Sequence, residues 1–268
     1  MKGTKLASPY MLWMFIFTII PILLIVHFSF TGPMGFTFGN IIRFFDPLYL
    51  SIMWRSISIA AQATAICFVL GYPVAYILAG KEYKDRNILL FLFVVPMWMN
   101  FLIRTYAWLT ILGNRGILNG ILEFFGLPTR QFLFTDGAVL LGLVYTFLPF
   151  MILPIYVSIQ KIDQSLIEGA ADLGANAIEV FKRIIFPLSL PGVISGLTMV
   201  FMPAVATFVV SNLLGGGQYM LIGNLIERQL LTVGNWNFGS ALALILMLLI
   251  LGTNFVLSSF NKEQKEGV

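Results

Sequence analysis

Residues 138–159 read AVLLGLVYTFLPFMILPIYVSI, an apolar run that contains no Asp, Glu, Lys or Arg. The hydrocarbon core of a bilayer is about 30 Å thick, and an α-helix crosses it with about 20 apolar residues. Backbone N–H and C=O groups find no water there, so a segment that faces lipid must satisfy them internally as a helix. The run therefore predicts a transmembrane helix, because it is too long for an ordinary core helix of a soluble domain.

Five further stretches of the same character complete a prediction of six spans. Four of them lack charged residues, and the fifth contains only Arg104. The six predicted spans are 10–30, 57–79, 88–112, 138–159, 188–214 and 238–260. The chain has 268 residues, of which 59% are hydrophobic and only 10% are charged. About a quarter of the residues of a soluble domain are charged, so we expect one all-α membrane domain, a six-helix bundle that includes the whole chain.

Lysine and arginine are distributed unevenly between the two sides of this bundle, which predicts its orientation. With the N-terminus inside, the cytoplasmic segments hold ten basic residues, including all eight lysines, and the opposite segments hold five. Both termini are therefore expected to be cytoplasmic. Lys2 and Lys5 before the first apolar run would also fit a signal peptide, but the run is long for one and no A-x-A-like site follows Phe30.

The loops between the spans differ in length and composition. The inner turn 80–87 is short and basic, and the outer segment 31–56 contains several glycines. In the next outer loop we predict a surface helix at 117–125. The outer segment 215–237 has glycines near both ends and is predicted as a loop.

The remaining inner segment, 160–187, reads QKIDQSLIEGAADLGANAIEVFKRIIFP and carries strong helix signals. Ser165 and Glu168 have the spacing of a capping box, which predicts that a helix starts at Ser165. Gly174 is the residue type that most readily adopts the left-handed conformation of a helix C-cap. The first helix is therefore expected to end at Gly174.

A second helix is predicted directly after the glycine. Asn176 and Glu179 repeat the capping-box spacing, and Pro187 is expected to end or bend the helix before the fifth span. The segment is thus predicted as a helix, a tight glycine turn and a second helix, parallel to the membrane on its inner face.

The first of these two helices has a flat surface and an acidic side. Gly169, Ala170 and Ala171 are small, and Glu168 and Asp172 lie four residues apart on one face. Helices that lie on lipid favour a polar face rich in Lys and Arg, and this helix has no basic residue. We therefore expect it to bind a protein partner rather than the membrane surface.

The spacing of residues in segment 160–187 resembles the EAA motif of the permeases of ATP-binding-cassette (ABC) importers. In that motif, three residues separate E-A-A from a glycine, and nine more precede I-x-L-P. The matching positions are Glu168, Ala170, Gly174, Ile184 and Pro187. Gly169 replaces the first alanine and Phe186 replaces the leucine, and both replacements keep the small or apolar character of the position.

This resemblance implies a type I ABC importer permease with a cytoplasmic coupling helix that docks into an ATPase subunit. The residues expected to couple the two proteins are Glu168, Ala170, Asp172, Gly174, Ile184 and Pro187. The implied location is a bacterial cytoplasmic membrane. The implied partners are a homologous permease that forms a heterodimer with this chain, two ATPase subunits and an extracytoplasmic substrate-binding protein, with no nucleic acid.

The chain is not expected to be an enzyme. It lacks G-x-x-x-x-G-K-[ST], the loop that holds nucleotide phosphates, so ATP and Mg²⁺ are expected on the separate ATPase and no cofactor on this chain. Cys67 and His27 are the only cysteine and histidine. With one residue of each type, the sequence predicts no metal site built from Cys or His and excludes a disulfide framework.

Further segments resemble the spermidine/putrescine permeases of the same family. They include PMWMNFLIRTY at 96–106, LVYTFLPF at 143–150 and LIGN at 221–224. The resemblance implies uptake of polyamines. One alternative is the same kind of importer for sulfate, iron or phosphonate. The other is a secondary transporter driven by an ion gradient, but such proteins usually place ionisable residues near the membrane midplane, where this chain has none.

The candidate residues of a substrate path are aromatic and polar side chains in the spans. Polyamines are long cations with an apolar stem, which aromatic faces and carboxylates can bind. The candidates are Trp98, Tyr106, Tyr145, Thr207, Ser211 and Asn212. Interfacial aromatic belts and hydrogen bonds between helices explain the same residue types without a ligand. Because the predicted spans contain no acid, the carboxylates are expected mostly from the partner permease and the binding protein.

Arg104 is the one charged residue in a predicted span. It lies 16 residues after Ile88, about 24 Å along a straight helix, which predicts a position near the outer interface. An arginine would repel a polyamine, so we expect an anchor or an ion-pair partner at this position.

Overall fold

A computed structural model describes residues 3–33, 35–80, 86–217 and 219–266. Within these ranges the regular structure is helical, apart from one antiparallel pair of short strands, β1 (Thr31–Gly32) and β2 (Gly35–Phe36). Among the described residues, five helical stretches are long and apolar enough to cross a membrane, and there are six if two helices that meet at a sharp bend count as one span. The prediction of an all-α bundle of about six spans is therefore confirmed, while the cytoplasmic location of the termini stays a prediction.

The helices, in chain order, are α1 (Gly3–Met14), α2 (Ile20–Ser29), α3 (Gly39–Phe44), α4 (Pro47–Ala79), α5 (Arg86–Trp98), α6 (Phe101–Leu112), α7 (Ile117–Phe124), α8 (Asp136–Gln160), α9 (Gln164–Asp172), α10 (Ala177–Val180), α11 (Phe186–Ala206), α12 (Val209–Leu214), α13 (Ile222–Glu227) and α14 (Trp236–Glu266). Three π-helical turns extend them, at Phe15–Ile19, Phe181–Ile185 and Arg228–Thr232. The first turn joins α1 and α2 into the first span, which packs against α14.

The core of the bundle consists of α4, α8 and α11, which pack against one another along their lengths. Two glycines of α11 bring it close to α8. A Cβ at Gly192 would lie 2.6 Å from the carbonyl oxygen of Pro154, and one at Gly196 would lie 2.8 Å from the sulfur of Met151. Small residues at such contacts allow the tight backbone packing that holds helices together in a membrane.

Helix α4 begins ten residues before the predicted span 57–79. Asp46 caps it by accepting a hydrogen bond from the backbone N–H of Leu48 at 2.9 Å, and Pro47 occupies the first helical position. The prediction placed these residues in the outer segment 31–56. The inner turn 80–87, which follows α4, lies mostly outside the described residues.

The third predicted span, 88–112, is broken rather than straight. The helical stretches Ile88–Trp98 and Phe101–Phe124 meet at an angle of 93°. Asn100 starts the second half, since its side chain accepts hydrogen bonds from the first turn of α6, at 2.9 Å from Leu102. Helix α7 matches the surface helix predicted at 117–125.

Pro187 was predicted to end or bend the second helix of segment 160–187. It does not end that helix. The helix runs without a gap from Ala177 through the π-helical turn into α11, forming one stretch, Ala177–Ala206. The backbone N–H of Phe186 bonds to the carbonyl of Phe181, five residues earlier. The turn thus shifts the hydrogen-bond ladder just before Pro187, which has no N–H to contribute.

The fifth predicted span, 188–214, is interrupted near its end. Helix α11 stops at Ala206, and the N–H of Thr207 still bonds to the carbonyl of Pro203 at 2.9 Å. Helix α12 begins at Val209. The predicted outer loop 215–237 contains α13 and a π-helical turn. Residues 222–225 of α13 are buried. The helix packs closely against the end of α11, since a Cβ at Gly223 would clash with the carbonyl oxygen of Ala206.

Candidate functional site

Segment 160–187, which we name the coupling segment, begins with a capped helix. Asp163, rather than the predicted Ser165, is the N-cap of α9, and its carboxylate accepts a hydrogen bond from the N–H of Ser165 at 3.0 Å. This hydrogen bond lowers the pKa of Asp163 below its ordinary value of 3.8. A carboxylate accepts such a bond more strongly than a hydroxyl and also interacts favourably with the positive end of the helix dipole.

Helix α9 ends in a Schellman motif, which agrees with the C-terminal cap predicted at Gly174. Gly174 has a φ of 84°. Its N–H bonds to the carbonyl of Ala171 at 2.9 Å, and the N–H of Ala175 bonds to that of Ala170 at 3.0 Å. Ala170 and Gly174 of the EAA pattern therefore both belong to one tight turn.

The predicted second capping box is also present. The side chain of Asn176 accepts a hydrogen bond from the N–H of Glu179 at 3.0 Å, and the carboxylate of Glu179 accepts one from the N–H of Asn176 at 3.0 Å. The two helices of the coupling segment are therefore both held by side-chain caps, one on each side of a glycine turn.

One face of the coupling segment is open. None of the residues of α9 is buried, and farther along Leu173 is 90% exposed and Ile178 is 66% exposed. A Cβ at Gly169 or Gly174 would have no neighbouring atom within 4 Å. Large apolar side chains that lie exposed together on a surface typically mark a contact with another molecule.

The predicted coupling residues fall into two groups. Glu168 and Asp172 are exposed on α9, next to the open face. Ile184 and Pro187 are half-buried where the coupling segment joins α11. The first group can contact a partner, and the second attaches the segment to the bundle.

An aromatic cluster provides that attachment. The ring of Phe181 lies 5.7 Å from that of Tyr72 and 5.5 Å from that of Tyr76, and Phe186 lies 5.7 Å from Tyr72. The hydroxyl of Tyr72 also shares a buried hydrogen bond with Ser189 at 2.8 Å. The coupling segment is therefore packed against α4 as well as joined to α11.

A groove of about 1000 Å³ runs between α8 and α11 and reaches the coupling segment. Its walls are mainly apolar and include Phe150, Leu153, Leu188 and Met199. At the end near the coupling segment it is bordered by Lys161. None of the described residues fills it.

The three aromatic candidates of the substrate path lie on three helices and form no ring contact with one another among the described residues. Trp98 is 75% exposed and Tyr106 is 55% exposed, and the ring of Trp98 lies 5.9 Å from that of Phe91. Tyr145 is 38% exposed, and its ring lies 5.3 Å from that of Trp108. The structure thus pairs Tyr145 with Trp108 rather than with another candidate of the substrate path.

The polar candidates near the end of the fifth span belong to a hydrogen-bond network around Asn224. Ser211 is buried and lies 2.6 Å from the side-chain oxygen of Asn224. The amide of Asn224 donates to the carbonyl of Phe208 at 3.2 Å and to the side chain of Asn212. Thr207 lies in the break between α11 and α12, whereas the predicted span 188–214 assumed one continuous helix.

Sequence reasoning did not predict the role of Asn224. Its segment was noted only for its resemblance to other permeases, and a single polar residue in a glycine-rich stretch carries no local sign of burial. Only the packing of α13 against the fifth span shows that Asn224 joins them.

Arg104 is buried within the protein, and its location near the outer interface stays a prediction. It is 9% exposed and donates a hydrogen bond from Nη1 to the carbonyl of Pro96 at 2.9 Å. Its guanidinium carbon lies 5.6 Å from the centre of the Tyr145 ring. The distance predicted between Ile88 and Arg104 assumed a straight helix. It does not apply, because the helix breaks between α5 and α6. Arg104 instead ties the two halves of the third span together.

Comparison with known sequences gives one consistent result. Residues 68–263 match the family described as "Binding-protein-dependent transport system inner membrane component". The chain is 43% identical to the spermidine/putrescine transport system permease protein PotB of Escherichia coli (strain K12), over 89% of this chain and 90% of the relative. It is also 43% identical to PotB of Haemophilus influenzae, over 93% and 91%. The inner membrane ABC transporter permease protein YdcU of Escherichia coli (strain K12) is 30% identical, over 80% and 72%.

Solved structures share the fold at low sequence identity. A chain of a bacterial alginate ABC transporter, in complex with a pentasaccharide-bound periplasmic protein, superposes with a TM-score of 0.83 at 17% identity, covering 97% of this chain and 93% of that one. A chain of the MetNI methionine ABC transporter gives a TM-score of 0.58 at 18% identity, covering 80% and 95%.

Proposed function

Because the chain belongs to the family of binding-protein-dependent transport system inner membrane components, we propose that it is the permease subunit of an ATP-driven importer of polyamines. The cargo is proposed from the relatives named for spermidine and putrescine transport, which are 43% identical over 89% and 93% of this chain. It is a multi-pass protein of a bacterial cytoplasmic membrane.

The open face of the coupling segment is the observation that carries the mechanism. It presents Leu173 and Ile178, with Glu168 and Asp172 beside them, on helices that are capped and therefore stiff. We propose that an ATPase subunit covers this face on the cytoplasmic side, and that ATP and Mg²⁺ bind there rather than to this chain. The excess of lysine on the same side supports the orientation.

The aromatic cluster of Tyr72, Tyr76, Phe181 and Phe186 supports the next step. When two ATPase subunits close on ATP, the coupling segment moves with them, and the cluster passes that displacement to α4 and α11. ATP can shift the transporter from one state to another only to the extent that the ATPase subunits bind ATP more tightly in the second state.

The other partners are proposed from unoccupied surfaces and from the family. A homologous permease would cover the apolar groove between α8 and α11, since an open apolar groove of this size is typical of a contact. An extracytoplasmic binding protein would deliver the substrate to the end of the bundle opposite the coupling segment.

Uptake by the purified complex tests this function. We expect the complex in proteoliposomes to accumulate labelled spermidine only with ATP, and putrescine but not sulfate or iron to compete. Uptake that persists without ATP would indicate a gradient-driven transporter instead. Uptake of sulfate, iron or phosphonate without any spermidine uptake would refute the polyamine assignment and leave the importer class intact.

A further inference from the structure

One face of α4 carries a stripe of polar residues that the proposed function leaves unexplained. Ser51, Arg55, Ser58 and Gln62 follow one another at intervals of four, three and four residues, so they share a helix face. Gln62 is exposed, and its amide donates a hydrogen bond to Ser58 at 3.1 Å. Polar and charged side chains are costly against lipid, so this face must border water or protein.

The stripe forms one wall of a pocket of about 490 Å³ at the end of the bundle opposite the coupling segment. Asp136, the first residue of α8, lies in the facing wall, and Trp54 borders the pocket with 73% of its surface exposed. Arg55 Nη2 lies 2.7 Å from Oδ1 of Asp136. The guanidinium of Arg55 also lies 4.5 Å from the centre of the Tyr219 ring.

The ion pair in this pocket is open to exchange. The side chains of Arg55 and Asp136 are 40% and 62% exposed, and ion pairs with that exposure contribute only about 0–1 kcal/mol. A second cation can therefore take the place of Arg55 at the carboxylate. The ring of Tyr219 gives Arg55 a second partner besides Asp136, which lowers the cost of the exchange.

We propose that this pocket binds one primary ammonium group of the substrate, with Asp136 as its counter-charge and Arg55 as a built-in competitor. The hydroxyls of Ser51 and Ser58 and the amide oxygen of Gln62 supply further acceptors for the ammonium protons. Trp54 supplies an aromatic face for the cation or its methylene stem. The inference rests on the proposed function and assigns an outer binding site for that substrate in this chain.

Two substitutions with opposite expected effects test the site in the complete complex in proteoliposomes. Asp136→Asn removes the counter-charge and is expected to raise the KM for spermidine about tenfold with little change in kcat. Arg55→Gln removes the competitor and is expected to lower KM by about two- to fivefold. This change in affinity corresponds to the free energy that an exposed ion pair contributes. Glu123→Gln removes an acid outside the pocket and is the matched control, with unchanged KM.

The results separate the alternatives. If the ion pair is only structural, both pocket variants change KM in the same direction or leave it unchanged, and the inference is overturned. If the pocket binds an anion through Arg55, Asp136→Asn does not raise the KM for spermidine, and the inference is overturned as well. If Asp136→Asn fails to assemble, Arg55→Gln decides alone, since a lower KM supports the site and an unchanged or higher KM refutes it. Absence of spermidine uptake by the unmodified complex would refute the proposed function itself, whereas normal uptake with unaffected variants would refute only this site.

Discussion

At the scale of single residues, Gly174 combines a required backbone conformation with an open position. Its φ of 84° disfavours most side chains, yet a Cβ would meet no atom within 4 Å. A substitution there therefore acts through the backbone or through a partner rather than through a clash within the chain. These two causes can be distinguished by comparing Asp with Asn, since both tolerate the left-handed conformation.

We predict that Gly174→Asp abolishes uptake while the protein still reaches the membrane. The new carboxylate would add a third negative charge beside Glu168 and Asp172 on the face proposed to dock, whereas Gly174→Asn is expected to keep part of the uptake. Gly126→Asp is the control for the backbone effect, because Gly126 has a φ of 69°, is equally open and lies outside the coupling segment. Full transport by Gly174→Asp, measured at equal membrane levels, would count against the docking role.

Asp163 gives the coupling segment a predictable response to pH. Its folded pKa is lowered by the hydrogen bond from Ser165, so its stabilising effect on α9 is complete above the unfolded pKa and is lost as the pH falls through the folded pKa. We predict that amide protection in α9, measured by hydrogen exchange corrected for intrinsic rates, declines below pH 3.8 and stays level at neutral pH. Asp163→Asn should retain the cap and lose this pH dependence, and Asp163→Ala should lose protection at every pH. A decline that is unchanged in Asp163→Asn would show that another group is responsible.

At the scale of secondary-structure elements, the breaks in the helices are held by specific polar residues. Asn224 joins α12 and α13 through Ser211, Asn212 and the N–H of Leu221, at 3.1 Å. Replacing it with an apolar residue leaves several buried groups without partners, and each such group costs about 1–3 kcal/mol.

We therefore predict that Asn224→Leu lowers the melting temperature of the purified complex by several degrees and reduces assembly. Asn254→Leu makes the same chemical change on an exposed position of α14 and should leave the melting temperature unaltered. Equal melting temperatures for the two variants would show that the network does not hold the fifth span to α13.

The same elements show what the sequence could and could not predict. The spans and the caps at Gly174 and Asn176 depend on composition and spacing within a few residues, so they were predictable. The breaks at 99–100 and 207–208 were not, because hydropathy continues across them and the contacts of Arg104 and Asn224 beside them join residues of separate helices. The glycines around α13 favoured a loop, although here glycine permits a close approach to α11.

At the scale of the whole molecule, the coupling segment and the pocket around Asp136 lie at opposite ends of α8. In the proposed function the ATPases act at one end and the substrate enters at the other, so the long helices of the core would have to connect the two. Helix α4 takes part in both ends, since Tyr72 contacts the coupling segment and Arg55 pairs with Asp136. A rigid displacement of α4 would therefore alter the outer pocket when the ATPases move.

This connection predicts that weakening the aromatic cluster separates ATP hydrolysis from transport. Phe181→Ala removes the ring that contacts Tyr72 and Tyr76 but leaves the capped turn at Gly174 and its exposed face in place. The ATPases should still dock and hydrolyse ATP, while less of their motion reaches α4, so the number of spermidine molecules transported per ATP should fall severalfold. Phe17→Ala, on an exposed position of the first span, is the control and should keep the ratio. If Phe181→Ala lowers hydrolysis and uptake in proportion, the cluster supports docking of the ATPase rather than transmission, and the route through α4 would be wrong.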